Sequence, residues 1–133
     1  MNFVTENIIL IVIAFASGAM LVWPLIQRST GGPSLDTLAA TRLINDSHAV
    51  VLDVRDAAEF ATGHLPGARN IPLAELAGRG TELPAGKPVL VCCASGNRSG
   101  SAAGQLRKAG RDQVFNLAGG LQAWRQAGLP VVR

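Results

Sequence analysis

The sequence predicts an α/β fold, a parallel sheet covered by helices on both faces, preceded by one N-terminal transmembrane helix. Three observations carry it. Residues 8–26 form an uncharged apolar run. Beyond a Gly/Pro/Ser-rich break, extended-type runs at 49–54, 69–71, 89–92 and 114–117 alternate with segments of helical period. The runs at 49–54 and 89–92 are mostly apolar without alternation, as in strands covered on both faces, and strands alternating with helices build parallel sheets.

Taken in order, residues 1–7 are a short tail holding Glu6 and no Lys or Arg. Residues 8–26 read IILIVIAFASGAMLVWPLI and would span about 28 Å as a helix, near a bilayer's hydrocarbon thickness, with Trp23 suited to an interface. The missing basic start argues against a cleaved signal peptide, although Ala14-Phe15-Ala16 offers a poor cleavage site. Arg28 and Arg42 follow the span. The positive-inside bias therefore puts the N-terminus outside and the C-terminal domain in the cytosol, on the inner membrane. Residues 27–34 form a polar hinge, and the domain occupies 35–133.

Within the domain, Asp36 caps a helix over 37–45 and Asp56 caps a shorter one over 57–62. Gly63, Pro66 and Gly67 turn the chain into the strand at 69–71. A weak helical turn at 73–77 and a loose stretch to Pro88 lead to the strand Val89–Cys92. The helix at 100–109 turns Ala102, Ala103, Leu106 and Ala109 inward and ends at Gly110. The strand at 114–117, a Gly119-Gly120 turn, a helix over 121–127 stopped by Gly128, and an extended Val131-Val132 complete the chain.

Composition narrows the function. A net charge of +3, with four Phe, two Trp and no Tyr, gives neither the basic surface nor the stacking platforms of a nucleic-acid binder. Two adjacent cysteines cannot staple a fold, so reduced thiols in a reducing compartment are expected. His48 together with them gives no metal-ligand spacing. The chemistry concentrates in Cys93-Ala94-Ser95-Gly96-Asn97-Arg98-Ser99, where a strand runs through a tight turn into a helix. Backbone amides and a helix N-terminus converge there, and a thiolate at that point is stabilised and nucleophilic.

Three ordered blocks identify residues 35–133 as resembling a single-domain rhodanese, a sulfurtransferase module. Val51-Leu52-Asp53-Val54-Arg55, Glu59-Phe60 and Gly63-His64-Leu65-Pro66-Gly67-Ala68-Arg69-Asn70-Ile71-Pro72 are similar to the family's first signature. The segment 93–99 resembles its active-site loop, and Leu117-Ala118-Gly119-Gly120-Leu121 with Trp124, Gly128 and Pro130 its C-terminal signature. The resemblance implies a five-stranded parallel sheet between helices, and some bacterial members carry one N-terminal anchor. It implies that Cys93 takes sulfane sulfur from a donor such as thiosulfate, holds it as a persulfide, and passes it to cyanide or a thiol, including a protein thiol. In that scheme the amides of Ala94, Ser95, Gly96, Asn97, Arg98 and Ser99 hold the anion, Arg98 helps bind an anionic donor, and no metal or organic cofactor takes part.

Two departures leave alternatives open. Ala94 stands where many relatives have a long polar or basic side chain, which leaves the donor undefined. Counted from Cys92 the loop reads Cys-x5-Arg-Ser, the spacing of Cys-dependent phosphatases and arsenate reductases; counted from Cys93 it is the sulfurtransferase loop, which the flanking blocks favour. A membrane-docked interaction domain without catalysis is the third reading. For Asp53 and Arg55 a structural ion pair is expected, for Glu59 a place in such a network, and for His64 a hydrogen bond to local backbone.

Overall fold

The computed structural model describes residues 2–30 and 33–133, with the side chains of 24–30 outside the description. Five parallel strands form one sheet in the order β1-β5-β4-β2-β3. They are β1 (Ser34–Leu35), β2 (Val50–Asp53), β3 (Arg69–Asn70), β4 (Val89–Cys92) and β5 (Val114–Leu117). The helices are α1 (Phe3–Glu6), α2 (Ile8–Thr30), α3 (Thr37–Ser47), α4 (Ala57–Thr62), α5 (Leu76–Arg79), α6 (Asn97–Lys108) and α7 (Gly120–Gln126). The fifth strand is β1, formed where the hinge was expected to end: Ser34 pairs with Asn116 and Leu35 with Leu117. Val132 makes only an isolated antiparallel bridge, to His64.

Strand alternation divides the core in two. Leu52, Val54, Val89, Val91 and Cys93 face Leu76, Ala102 and Leu106 on one side of the sheet. Val51, Leu90, Cys92 and Leu117 face Ala40, Leu65 and Trp124 on the other. Asp36 caps α3 by accepting the Ala39 N–H at 2.8 Å, and Asp56 with Glu59 forms a capping box on α4. In α3 the inward face is Ala40, Leu43 and Ile44, while Leu38 is exposed. Trp124 is buried and donates its indole N–H to the Pro130 carbonyl at 2.8 Å.

The expected transmembrane helix over 8–26 is overturned: among the described residues no helix is long and apolar enough to cross a membrane. Helix α2 continues through the expected hinge to Thr30. The single-pass topology and inner-membrane placement inferred from that span fall with it. Of the hinge, Gly31 and Gly32 lie outside the described residues, as does the Arg28 side chain used for orientation.

The packing of α7 against the sheet depends on Gly120. Its φ is +57°, and a Cβ there would collide with the Cys93 carbonyl and come within 2.8 Å of the Ala94 backbone. Gly120→Ala is therefore expected to lower the stability of the chain by about 2–3 kcal/mol, read as a lower urea midpoint at unchanged slope.

Candidate active site

Strand β4 ends at Cys92, and Cys93 begins the turn into α6. The turn is tighter than the sequence suggests, because helical geometry starts at Asn97, ahead of Ser99. Gly96 makes this possible with φ +103°, and its N–H donates to Cys93 Sγ at 3.0 Å. Ser99, fully buried in the first turn of α6, places its Oγ 3.3 Å from the same sulfur. Ala94 and Ser95 form the outer side of the turn, and α7 holds the carbonyls of Cys93 and Ala94. Leu121 N–H donates to the Cys93 carbonyl at 2.8 Å and Gln122 N–H to the Ala94 carbonyl at 3.1 Å.

The two thiols have opposite environments. Burial is the largest influence on Cys93 and opposes its ionisation. The Ser99 hydroxyl and the amides of Ser99, Gly96 and Ser95 together outweigh it, and the thiol is held below its ordinary range. For Cys92, burial is the main cause that pushes the thiol up, and the Asp53 charge adds to it. Adjacent residues of an extended strand face opposite ways, so Cys92 shares the core cluster of Leu90, Leu117 and Trp124.

Two cations near the turn, Arg98 and Arg55, are engaged with carboxylates. Arg98 donates from Nη1 to Glu59 Oε1 at 2.7 Å and from Nη2 to Glu59 Oε2 at 3.0 Å. The guanidinium implied to bind an anionic donor thus clamps α6 to α4, and Glu59 is its partner. The Arg98 hydrogen bond is the main reason the Glu59 carboxyl lies below its usual range. Arg55 and Asp53, 4% and 0% exposed, form a buried pair at 2.7 Å, and Arg55 also donates to the Gly63 carbonyl at 2.6 Å. Burial works against the Arg55 charge, but Asp53 more than offsets it, holding the guanidinium pKa above its ordinary value. Asn70 Nδ2 donates to the carbonyls of Asp53 at 3.1 Å and Arg55 at 2.9 Å, fixing the backbone around the pair. His64 lies apart from the thiol: its ring stacks on Phe60 at 3.7 Å, with Nδ1 2.9 Å from the Phe60 carbonyl.

One residue of the site escaped the sequence reading. Asn116 on β5 donates from Nδ2 to the Gly96 carbonyl at 3.2 Å, which turns its Oδ1 toward Ser99. Ser99 donates its hydroxyl to that oxygen at 2.5 Å. A hydroxyl has one proton, so the Cys93 thiolate and the Asn116 carbonyl compete for it. The signal in the sequence was only a polar residue on an otherwise apolar strand.

The chain matches the Rhodanese-like domain family over residues 37–127. It is 47% identical over 76 residues to YqhL, an uncharacterized protein of Bacillus subtilis, covering 57% of this chain and 60% of that one. It is 43% identical over 88 residues to the thiosulfate sulfurtransferase GlpE of Pseudomonas putida, covering 65% and 78% respectively. The crystal structure of a rhodanese-related protein from Thermoplasma volcanium superposes with a TM-score of 0.67 at 36% identity, over 75% of this chain and 97% of that one. The chain thus spans less than two thirds of the Bacillus relative's length.

Three outcomes are expected from this geometry. Iodoacetamide should modify Cys93 and leave Cys92 intact in the native chain, with a pH midpoint below that of an ordinary cysteine. Asn116→Leu should lower that midpoint further, and Ser99→Ala should raise it more in the Asn116→Leu background than in the parent, a coupling read from alkylation rates. The Arg98–Glu59 pair is half exposed, so Glu59→Gln should cost no more than about 1 kcal/mol at pH 7. Because the folded Glu59 pKa lies below the unfolded one, the contribution is complete above the usual glutamate range. It fades as pH falls through the folded value, where urea midpoints of variant and parent should converge.

Proposed function

The chain belongs to the rhodanese-like domain family, and from that premise we propose that it is a sulfurtransferase in which Cys93 carries sulfane sulfur from a small donor to a nucleophilic acceptor. The observation that carries this reading is the Gly96 N–H donating to Cys93 Sγ at 3.0 Å, beside the Ser99 hydroxyl, on a thiol held below its ordinary range. With thiosulfate, the Cys93 thiolate attacks the outer sulfur. A new Sγ–S bond forms, the S–S bond of the donor breaks, and sulfite leaves with the bonding pair. Cyanide or a thiolate then attacks the outer sulfur of the persulfide, giving thiocyanate or a new persulfide and returning the Cys93 thiolate.

The chain's own groups do the electrostatic work. The amides around Ser95, Gly96 and Ser99, at the start of α6, stabilise negative charge on Sγ before attack and on the persulfide after it. Arg98 contributes by holding α6 against α4 through Glu59, which fixes where those amides point. The Asp53–Arg55 pair braces the neighbouring strand end. The relative named thiosulfate sulfurtransferase, at 43% identity, supports thiosulfate as the first donor to try. The phosphatase count through Cys92 has no support in its surroundings, where the thiol is buried and its pKa raised.

Intact mass of the full chain after thiosulfate should show a reducible gain of one sulfur, mapped to Cys93. Cys93→Ser should abolish that gain and lower thiocyanate formation by at least about 10³-fold, while Cys92→Ser should retain activity within a few fold. Equal thiocyanate from parent and Cys93→Ser would overturn the reading. Aryl phosphate hydrolysis lost in Cys92→Ser alone would replace it with the phosphatase.

A further inference from the structure

Ser99 is completely buried, so its hydroxyl proton goes to protein acceptors and not to solvent. Two lie within reach, Cys93 Sγ at 3.3 Å and Asn116 Oδ1 at 2.5 Å. The second acceptor is fixed in place. Asn116 Nδ2 donates to the Gly96 carbonyl at 3.2 Å, and the Asn116 backbone N–H donates to the Pro33 carbonyl at 3.0 Å. Turning the amide over would set Oδ1 against the Gly96 carbonyl and Nδ2 against the hydroxyl, so Oδ1 faces Ser99 whatever the state of the sulfur. The first acceptor changes during sulfur transfer. As a thiolate, Sγ carries the charge and attracts the proton. Once thiosulfate is attacked and sulfite has left with its bonding pair, Sγ holds two covalent bonds and the charge sits on the outer sulfur. The hydroxyl then has the better acceptor in Asn116.

We propose that Asn116 is a positioning residue that sets the balance between the two halves of the transfer, drawing the Ser99 hydroxyl off Sγ when the charge moves to the outer sulfur and yielding it when the charge returns. The proposal rests on the persulfide reading and deepens it. In the charging half, the pull of Asn116 leaves the thiolate less stabilised and therefore more nucleophilic. In the discharging half, cyanide or a thiolate bonds to the outer sulfur and the Sγ–S pair returns to Sγ, so the same pull makes Sγ a poorer leaving group. Without Oδ1 the hydroxyl stays on Sγ throughout. A hydrogen bond of ordinary net strength then shifts the equilibrium between thiolate and persulfide about fivefold toward the thiolate. With thiol nucleophilicity and leaving ability each following about half of a change in basicity, each rate moves about twofold, in opposite directions.

Charging with thiosulfate and discharge with cyanide can be timed separately on the full chain, above the alkylation midpoint of every variant so that Cys93 is ionised throughout. Asn116→Leu should slow charging about twofold, speed discharge about twofold, and lower the persulfide-to-thiolate ratio about fivefold at a fixed ratio of thiosulfate to sulfite, read by intact mass. In a Ser99→Ala background the same substitution should change none of the three. Loss of the Gly96 contact alone would move both rates in one direction and persist without the hydroxyl; either result overturns the proposal. A second readout leaves position 116 intact: in the NMR spectrum of the parent, the side-chain carbonyl carbon of Asn116 should move downfield when Cys93 is charged, as it gains the hydroxyl, and stay in place in Ser99→Ala. An unmoved resonance in the parent would also overturn it. A parent that takes up no sulfur sinks the sulfurtransferase reading and this one together, whereas sulfur uptake with parallel rate changes removes only the role of Asn116.

Discussion

The arrangement around Cys93 depends on where one backbone N–H points. Gly96 can direct its amide at Sγ because its left-handed conformation turns the chain back on itself within three residues of the cysteine. A side chain at position 96 would be strained at that φ. Once the turn is closed, α6 begins at Asn97, and the Ser99 amide in its first turn joins those of Gly96 and Ser95 at the sulfur. The neighbouring elements secure this turn from three sides: Asn116 holds the Gly96 carbonyl, α7 holds the Cys93 and Ala94 carbonyls, and Arg98 ties α6 to α4.

The adjacent cysteines show how little chemistry resides in a residue type alone. They share a composition and differ by one position, and a period of two in the strand sends them to opposite faces of the sheet. Cys92 is surrounded by hydrocarbon, which penalises its anion; Cys93 is as buried but meets amides and a hydroxyl. Burial raises a thiol pKa unless oriented dipoles compensate it, and only one of the two receives them.

The arginines divide in a similar way. Arg55 and Arg98 are bound to carboxylates, so their charges are used to hold backbone in place. A reading that assigns every cation near a nucleophile to substrate would overcount positive charge here. Arg125, on the last helix and remote in sequence from the loop, borders a cavity lined by Ala94 and Ser95 with its charge free of any described carboxylate. The Ser99 hydroxyl, shared between Asn116 and the thiol, similarly shows that one proton cannot serve two acceptors at once.

Local rules sufficed for much of this molecule. The β2 and β4 runs, the caps Asp36 and Asp56, the Cys93–Ser99 turn and the order of the three blocks are contiguous stretches, and contiguous residues state their own geometry. The Asp53–Arg55 pair spans two positions on one strand end and was equally legible. The sequence by itself thus determined the α/β class, the family, and which segment holds the thiol. Tertiary structure decided what depends on residues distant along the chain: Ser34 and Leu35 completing the sheet beside β5, Asn116 reaching Ser99, Glu59 occupying Arg98, and Arg125 bordering the cavity at Ala94. It also corrected the one inference drawn from hydropathy alone, since an apolar run at 8–26 states a composition, while spanning a membrane requires a sufficient length of apolar helix. The physical reason is common to all of them. Burial, pairing and reach are properties of neighbours in space, and a linear pattern carries them only where neighbours in space are also neighbours in the chain.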